Sequence, residues 1–124
     1  MDSRIPEDLK IFIVECIETV SQLELLFVIF QNKPKLWTSE SISKELRTHP
    51  AMAGKQMEIL VQKGILGHQD EQYFYSPQDK IIDQKVEKLF QLYLEKPVAV
   101  VTYIFTKPEE RLKGFADAFK IKKD

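Results

Sequence analysis

The chain has 124 residues and a mass of 14.5 kDa, with 44% hydrophobic and 30% charged residues. This is the size and composition of one globular domain, and it excludes a disordered or fibrous chain. The 18 Lys and Arg against 19 Asp and Glu leave a formal net charge of −1, which excludes a strongly basic nucleic-acid module. Any affinity for DNA must therefore come from local charge.

Several kinds of site lack the residues that they need. Cys16 is the single cysteine, and His49 and His68 have no zinc-ligand spacing around them. The four glycines form no phosphate loop, and no nucleophile, histidine and acid stand in a catalytic spacing. We therefore expect no metal, no cofactor and no enzymatic activity. No apolar run reaches the roughly 18 residues of a membrane span, so we expect a cytoplasmic protein without a transmembrane segment.

Two helices are predicted in the first third of the chain. Residues 6–18 place Leu9, Phe12, Ile13 and Cys16 on one apolar face, where Cys16 is interpreted as a core residue. The next helix is predicted to begin at Ser21, because Ser21 and Glu24 have the spacing of a capping box. Apolar residues on both of its sides predict that this second helix is buried nearly all round.

A pair of helices separated by a tight turn follows. Thr38 is a good N-cap for a short helix over residues 38–47, and the preceding Trp37 is interpreted as a core anchor. Residues 48–50 predict a turn, and a second helix runs over 50–63. Gly64 follows it, at the position where a left-handed residue ends a helix.

A hairpin and further helices complete the chain. Residues 65–68 and 73–76 predict two strands around the four-residue loop 69–72, with at least one ring of residues 73–75 packed inward. Residues 79–95 predict a helix. The β-branched run 98–105 fits a strand or a buried helix, and helix is favoured because no other strand is left to pair with it. A last helix is predicted after Thr106, with the apolar stripe Leu112, Phe115, Ala116 and Phe119.

The order of these elements resembles a winged helix-turn-helix domain. Residues 37–46, 51–66 and 73–75 look like those of MarR-type bacterial regulators, in which a Lys-Gly-Ile-Leu step leads from the recognition helix into the wing. The whole chain also resembles small stand-alone bacterial winged-helix proteins of unassigned role. The fold class predicted is mainly α with a small β-hairpin wing, as a winged helix-turn-helix domain over residues 1–77 and a C-terminal helical extension over 78–124.

The resemblance implies that helix 50–63 enters the major groove of duplex DNA. Gln56 would contact adenine, and Lys55 would contact a phosphate or guanine. The outward positions of this region would be His49, Met52, Gly54, Lys55, Gln56, Glu58 and Gln62. The DNA backbone would be held by Thr38, Ser39, Ser41, Lys44 and Thr48.

Charge departs from the family pattern. Helix 50–63 contains no arginine, and the wing tip carries Asp70 and Glu71 where MarR-type wings usually offer an arginine. Residues 38–76 hold four bases against five acids, a net charge of −1 that predicts weak DNA binding at physiological salt. The alternative function is therefore a winged-helix adaptor that binds a protein partner through its C-terminal amphipathic helix or its acidic hairpin.

Two apolar stripes are candidates for contact with a second chain or a partner. One lies on helix 79–95 and repeats at coiled-coil spacing, through Ile82, Val86, Leu89 and Tyr93. It could pack on its own domain or on its copy in a homodimer, and the dimer is favoured. The other stripe comprises Leu112, Phe115 and Phe119, which could dock on the same chain, a second subunit, another protein or a membrane surface.

Overall fold

A computed structural model describes residues 4–106 of the chain. In this range the protein is mainly α with a small β-hairpin, as predicted, and the arrangement is compatible with a winged helix. The elements in chain order are α1 (Glu7–Cys16), α2 (Val20–Gln31), α3 (Ser39–Leu46), α4 (Pro50–Gln62), β1 (Leu66–Gln69), β2 (Gln72–Tyr75), α5 (Lys80–Glu95) and α6 (Pro97–Thr106).

The start of α2 differs from the sequence prediction. Its N-cap is Thr19, whose hydroxyl oxygen accepts a hydrogen bond of 3.0 Å from the backbone N–H of Gln22. The side-chain oxygen of Gln22 accepts in turn from the backbone N–H of Glu18 at 2.7 Å. The capping box predicted at Ser21 and Glu24 is wrong, because the Thr19 hydroxyl caps the helix two residues earlier.

The centre of the core is α2, which is buried nearly all round as predicted. It packs against α4, β2 and α6, while α1 packs against α5. Its own buried residues are Gln22, Leu23, Leu25, Leu26, Phe27, Ile29 and Phe30. One hydrophobic core joins these residues to Val86, Leu89 and Val100, so the regions 1–77 and 78–124 of the sequence prediction share a single core within the described residues.

The β-branched run near the C-terminal end of the described range is helical. It forms α6, Pro97–Thr106, which confirms the favoured alternative. Pro97 occupies the first helical position, where its missing N–H is not needed. The helix predicted after Thr106 lies outside the described residues.

The hairpin is tighter than predicted. β1 and β2 pair antiparallel from Leu66 with Tyr75 to Gln69 with Gln72, so the loop is two residues long and the predicted four-residue loop is wrong. Those two residues, Asp70 and Glu71, have φ values of +51° and +67°. Two successive positive φ values are typical of a type I′ turn, which matches the twist of the paired strands and thus lets pairing continue to the loop.

Trp37 adds a third, short line of pairing to the hairpin. Its backbone N–H donates to the carbonyl of Tyr73 at 2.8 Å, and its carbonyl accepts from the N–H of Tyr73 at 2.6 Å. The side chain is only 2% exposed, which confirms Trp37 as a core anchor. The segment that leads into α3 is therefore fixed to β2.

We predict that Glu71→Gly stabilises the protein. Glycine adopts a positive φ without the steric cost that glutamate incurs, so Tm should rise by roughly 2–4 °C. The matched control is Gln72→Gly, where the same change falls in a strand and should lower Tm. Thermal unfolding followed by circular dichroism measures both, and a Tm for Glu71→Gly at or below that of the wild type would contradict the prediction.

Candidate nucleic-acid interface

The α3–α4 pair is built by local capping and a short turn. Ser41 N–H donates to Thr38 Oγ1 at 3.0 Å, and Thr38 N–H donates to Ser41 Oγ at 2.9 Å, which confirms Thr38 as the N-cap. α3 ends at Leu46, and its C-cap residue Arg47 is in the left-handed conformation, with φ 56° and ψ 50°. Thr48 N–H then donates to the Ser43 carbonyl at 3.0 Å, and α4 begins two residues later at Pro50. Three residues, 47–49, thereby connect the two helices.

Gly54 allows the two helices to approach closely. A Cβ placed on Gly54 would lie 2.6 Å from Ser39 Oγ, which is closer than non-bonded atoms can approach. Gly54 therefore faces α3, and its predicted outward position is wrong. The sequence signal was available, since a glycine inside a helix costs about 1 kcal/mol relative to alanine and implies a packing reason.

The predicted base-contacting residues occupy the outer face of α4. Met52 is 55% exposed, His49 and Lys55 are exposed, and Gln56 is half-buried. Sequence reasoning missed Ala51, which is exposed on the same face. The structure thus brings together the residues expected at the N-terminal half of the helix, while Ala53, Met57 and Leu60 on the inner face are fully buried.

Gln62 lies apart from this group. It is about 15 Å from Met52 along the helix axis, ten residues at 1.5 Å each. There it lines a cavity of about 630 Å³ together with Phe12, Cys16 and Lys85. Cys16 is buried as predicted, and burial raises the pKa of its thiol.

The predicted backbone-contacting residues divide into two groups. Lys44 is exposed on α3, so its ammonium group is accessible to a phosphate. Thr38, Ser39, Ser41 and Thr48 are half-buried. Thr38 and Ser41 already hold the α3 cap and Ser39 lies against Gly54, so these three hydroxyl residues have structural roles at the turn.

Glu58 ties α4 to both strands of the hairpin. Its Oε2 accepts a 2.7 Å hydrogen bond from the Tyr73 hydroxyl and lies 3.0 Å from His68 Nδ1. The imidazole of His68 is stacked on the Tyr73 ring, with centroids 4.1 Å apart and planes 9° apart. Glu58 was predicted as an outward residue, but its carboxylate is half-buried and committed to the hairpin. Nothing in the local sequence pattern indicates this contact, because Glu58 and Tyr73 are 15 residues apart.

A second tyrosine fixes the other end of β2. The Tyr75 hydroxyl donates to Asp83 Oδ1 at 2.6 Å, which joins the hairpin base to α5. Burial and the hydrogen bond to Asp83 raise the pKa of Tyr75. Burial, followed by the hydrogen bond to Glu58, raises the pKa of Tyr73 to about 12. Both phenols are held neutral by their surroundings.

Two lysines lie over aromatic rings before α3. The Lys35 ammonium is 4.1 Å from the Trp37 ring centroid, and Lys33 is 3.8 Å from that of Phe30 and 5.2 Å from that of Tyr75. Both lysines precede the helix pair, so the helix-turn-helix pattern in the sequence does not include them. Residues 33–76 contain six basic and five acidic residues. Their net charge is therefore +1, compared with −1 for residues 38–76.

The predicted dimer stripe on α5 points into its own chain. Val86 and Leu89 are 0% exposed, and Ile82 and Tyr93 are half-buried against the same core. Packing on the same chain, the alternative that the sequence left open, accounts for their burial. Contact of α5 with a second chain stays a prediction, and Leu112, Phe115 and Phe119 lie outside the described residues.

Comparisons of the chain with protein-family models, curated proteins and solved structures find no match. Within residues 4–106, no three His, Cys, Asp or Glu side chains are grouped so that they could hold a metal ion. Among the helices of the same range, none has the length and apolar character needed to cross a membrane.

We predict that the effect of Gly54→Ala on the free energy of unfolding depends on Ser39. The added methyl group meets Ser39 Oγ, so Gly54→Ala should be about 1 kcal/mol less favourable in the wild-type chain than in a Ser39→Ala background. Urea unfolding of the wild type, the two single variants and the double variant measures this coupling. If Gly54→Ala had the same effect in both backgrounds, the contact between positions 54 and 39 would not contribute to the free energy of unfolding.

We also predict that Tyr73 contributes to stability in a pH-dependent way. Its pKa is raised from about 10 in the unfolded chain to about 12 in the folded chain. The contribution is therefore fully present below pH 10 and is lost as the pH rises through 12. Tyr73→Phe should show a shallower loss of unfolding free energy between pH 10 and 12 than the wild type. Identical slopes for the two proteins in urea titrations would refute this role.

Proposed function

We propose that this protein is a small cytoplasmic transcription regulator of the bacterial winged-helix type, which binds duplex DNA as a homodimer. The observation that carries the proposal is the α3–α4 pair, whose helices are joined by three residues and approach closely at Gly54. A hairpin follows this pair directly and is tied to α4 by Glu58. The same features support the resemblance to MarR-type domains.

In this proposal α4 is the recognition helix. Its N-terminal half presents His49, Met52, Lys55 and Gln56 on the outer face. Gln56 would pair with adenine, and Lys55 would contact a phosphate or guanine. Lys44 on α3 would contact the DNA backbone. No catalytic step or cofactor is part of this function. Two copies would place their α4 helices in successive major grooves, about 34–36 Å apart.

The charges of residues 33–76, which we call the head, set the expected strength of DNA binding. Each phosphate contact adds about 0.9 to the slope of log affinity against log salt. Lys44 and Lys55 provide two such contacts per chain, and Lys33 and Lys35 add positive charge before α3. The acidic Asp70 and Glu71 at the hairpin tip oppose an approach of the tip to DNA. The proposal therefore implies weak non-specific binding with a shallow salt dependence.

We predict that Lys55→Ala weakens DNA binding. The variant should bind mixed-sequence duplex DNA more weakly, and its salt slope should fall by about 1 if Lys55 contacts a phosphate. Fluorescence anisotropy across a salt series, from low to near-physiological concentration, measures both quantities. Lys88→Ala is the matched control, because Lys88 is an exposed lysine on α5 outside the head.

Three outcomes of that titration are distinct. A lower slope for Lys55→Ala with an unchanged slope for Lys88→Ala supports groove binding by α4. Equal slopes for both variants would contradict the role of Lys55. No binding of the wild type at the lowest salt would overturn the DNA-binding function itself.

The acidic hairpin tip favours a second candidate function, an adaptor that binds a protein partner. Asp70 and Glu71 are exposed side by side at a turn, and a partner with basic side chains would complement them. The charge-reversed variant Asp70→Lys/Glu71→Lys separates the two functions. It should strengthen DNA binding if the head lies on DNA, and it should abolish binding of a basic partner if the tip is an adaptor surface.

A further inference from the structure

A group of aromatic rings lies where α2 meets α5. The ring centroid of Phe27 is 5.1 Å from that of Phe90 and 5.3 Å from that of Tyr93. Phe30 extends the group, since its centroid is 5.5 Å from that of Phe90. The ring planes in these pairs are tilted by 47° to 67°, so the rings do not stack face to face. We call these four residues the α2–α5 aromatic cluster.

One end of the α2–α5 aromatic cluster already holds a cation. The ammonium nitrogen of Lys33 lies 3.8 Å from the ring centroid of Phe30. A cation over an aromatic ring is attracted by the negative potential of the ring face, and the attraction is effective within roughly 6 Å of the centroid. The cluster therefore has the chemistry to stabilise a positive charge.

The other end of the cluster opens into a cavity. Phe27, Phe90 and Tyr93 line a cavity of about 390 Å³ between α2, α5 and the end of α3. Ligand pockets usually have volumes of about 300–1,000 Å³, so this cavity suits a small molecule. Among the described residues, no lysine lines the cavity or lies over these three rings. This end of the cluster is therefore open to a cation from outside the chain.

The rim of this cavity is negatively charged. Glu24, Glu45 and Arg47 line it, and all three are exposed. Two carboxylates and one guanidinium give the rim a net charge of −1. Within residues 4–106, neither carboxylate is held in an ion pair. The rim therefore attracts a positively charged ligand.

The hydroxyl of Tyr93 is a further polar group at the cavity. It has no hydrogen-bond partner in the described part of the chain, whereas the hydroxyls of Tyr73 and Tyr75 each donate to a carboxylate. Burial, followed by the negative charge of Glu24, raises the pKa of Tyr93. The carboxylate of Glu24 and the ring of Tyr93 therefore act on the same part of the cavity.

We propose that this cavity binds a small organic cation that carries an apolar group, such as a quaternary ammonium compound. The positive charge would lie against the rings of Phe90 and Tyr93, within reach of the carboxylates of Glu24 and Glu45. The apolar side chains that line the rest of the cavity would contact the apolar group. The inference does not rest on DNA binding, because none of the residues that line the cavity belongs to α4.

An NMR titration of the full-length chain tests the class of ligand. The probe is benzyltrimethylammonium, and the control probes carry the same benzyl group, as neutral benzyl alcohol and anionic phenylmethanesulfonate. In proton–nitrogen correlation spectra at constant low ionic strength, the cation should cause saturable shifts at residues that line the cavity. Its dissociation constant should be roughly 10-fold lower than that of either control probe, because only the cation gains from the rings and the carboxylates.

Charge-matched variants test the rim. Glu24→Gln/Glu45→Gln removes both carboxylates and should weaken the binding of benzyltrimethylammonium by roughly 5-fold. The control is Glu87→Gln/Glu95→Gln, which removes two exposed acids of α5 that do not line this cavity and should leave the dissociation constant unchanged. Tyr93→Leu should also weaken binding, whereas Tyr93→Phe keeps the ring and should retain it.

Each outcome of these titrations decides the proposal. Shifts at the cavity that depend on Glu24 and Glu45, and not on Glu87 and Glu95, support it. Equal affinity for the three probes would overturn it, because the cavity would then select an apolar group and not a charge. Equal weakening in both double variants, or shifts confined to other parts of the chain, would also overturn it. So would a dissociation constant above about 10 mM, which is too weak for a specific site.

Discussion

The burial of most of α2 is the constraint on which the remaining structure depends. Its exposed positions are Ser21, Glu24 and Gln31, and the apolar residues on the rest of its surface need other elements to cover them. α4 and β2 cover one part of its surface and α6 another, so the helix pair, the hairpin and the C-terminal helices become parts of one core. Aromatic contacts tighten this arrangement, since Phe27 lies 5.1 Å from Phe90 and Phe30 lies 5.1 Å from Tyr75 between ring centroids.

This arrangement gives α4 a rigid support. Buried residues anchor its inner face, Gly54 sets its distance from α3, and Glu58 binds it to the hairpin. The hairpin is itself held to α5 by the hydrogen bond from Tyr75 to Asp83. The outer face of α4 is therefore presented in one orientation. A ligand of that face would meet preorganised side chains, which lowers the entropy cost of binding.

Periodicity predicted most of the fold because it reports which residues must be buried. It located five of the six helices of the described range and the hairpin, whereas α6 was favoured only because no strand was left to pair with its β-branched run. The end of α4 followed from Gly64, whose φ is +78°. The errors arose where two local solutions compete. Thr19 and Ser21 are both good caps, and the hydroxyl of Thr19 is the one that accepts from a backbone N–H of the first turn. The short loop at Asp70 and Glu71 was missed because neither residue is the glycine that a type I′ turn usually has.

The candidate site was less predictable, because its decisive contacts join residues far apart in sequence. A helix wheel could assign Met52 and Lys55 to the outer face, but it could not show that Glu58 binds Tyr73 and His68. The same limit applies to apolar stripes. The spacing of Val86 and Leu89 correctly required a cover, and that cover proved to be the core of their own chain.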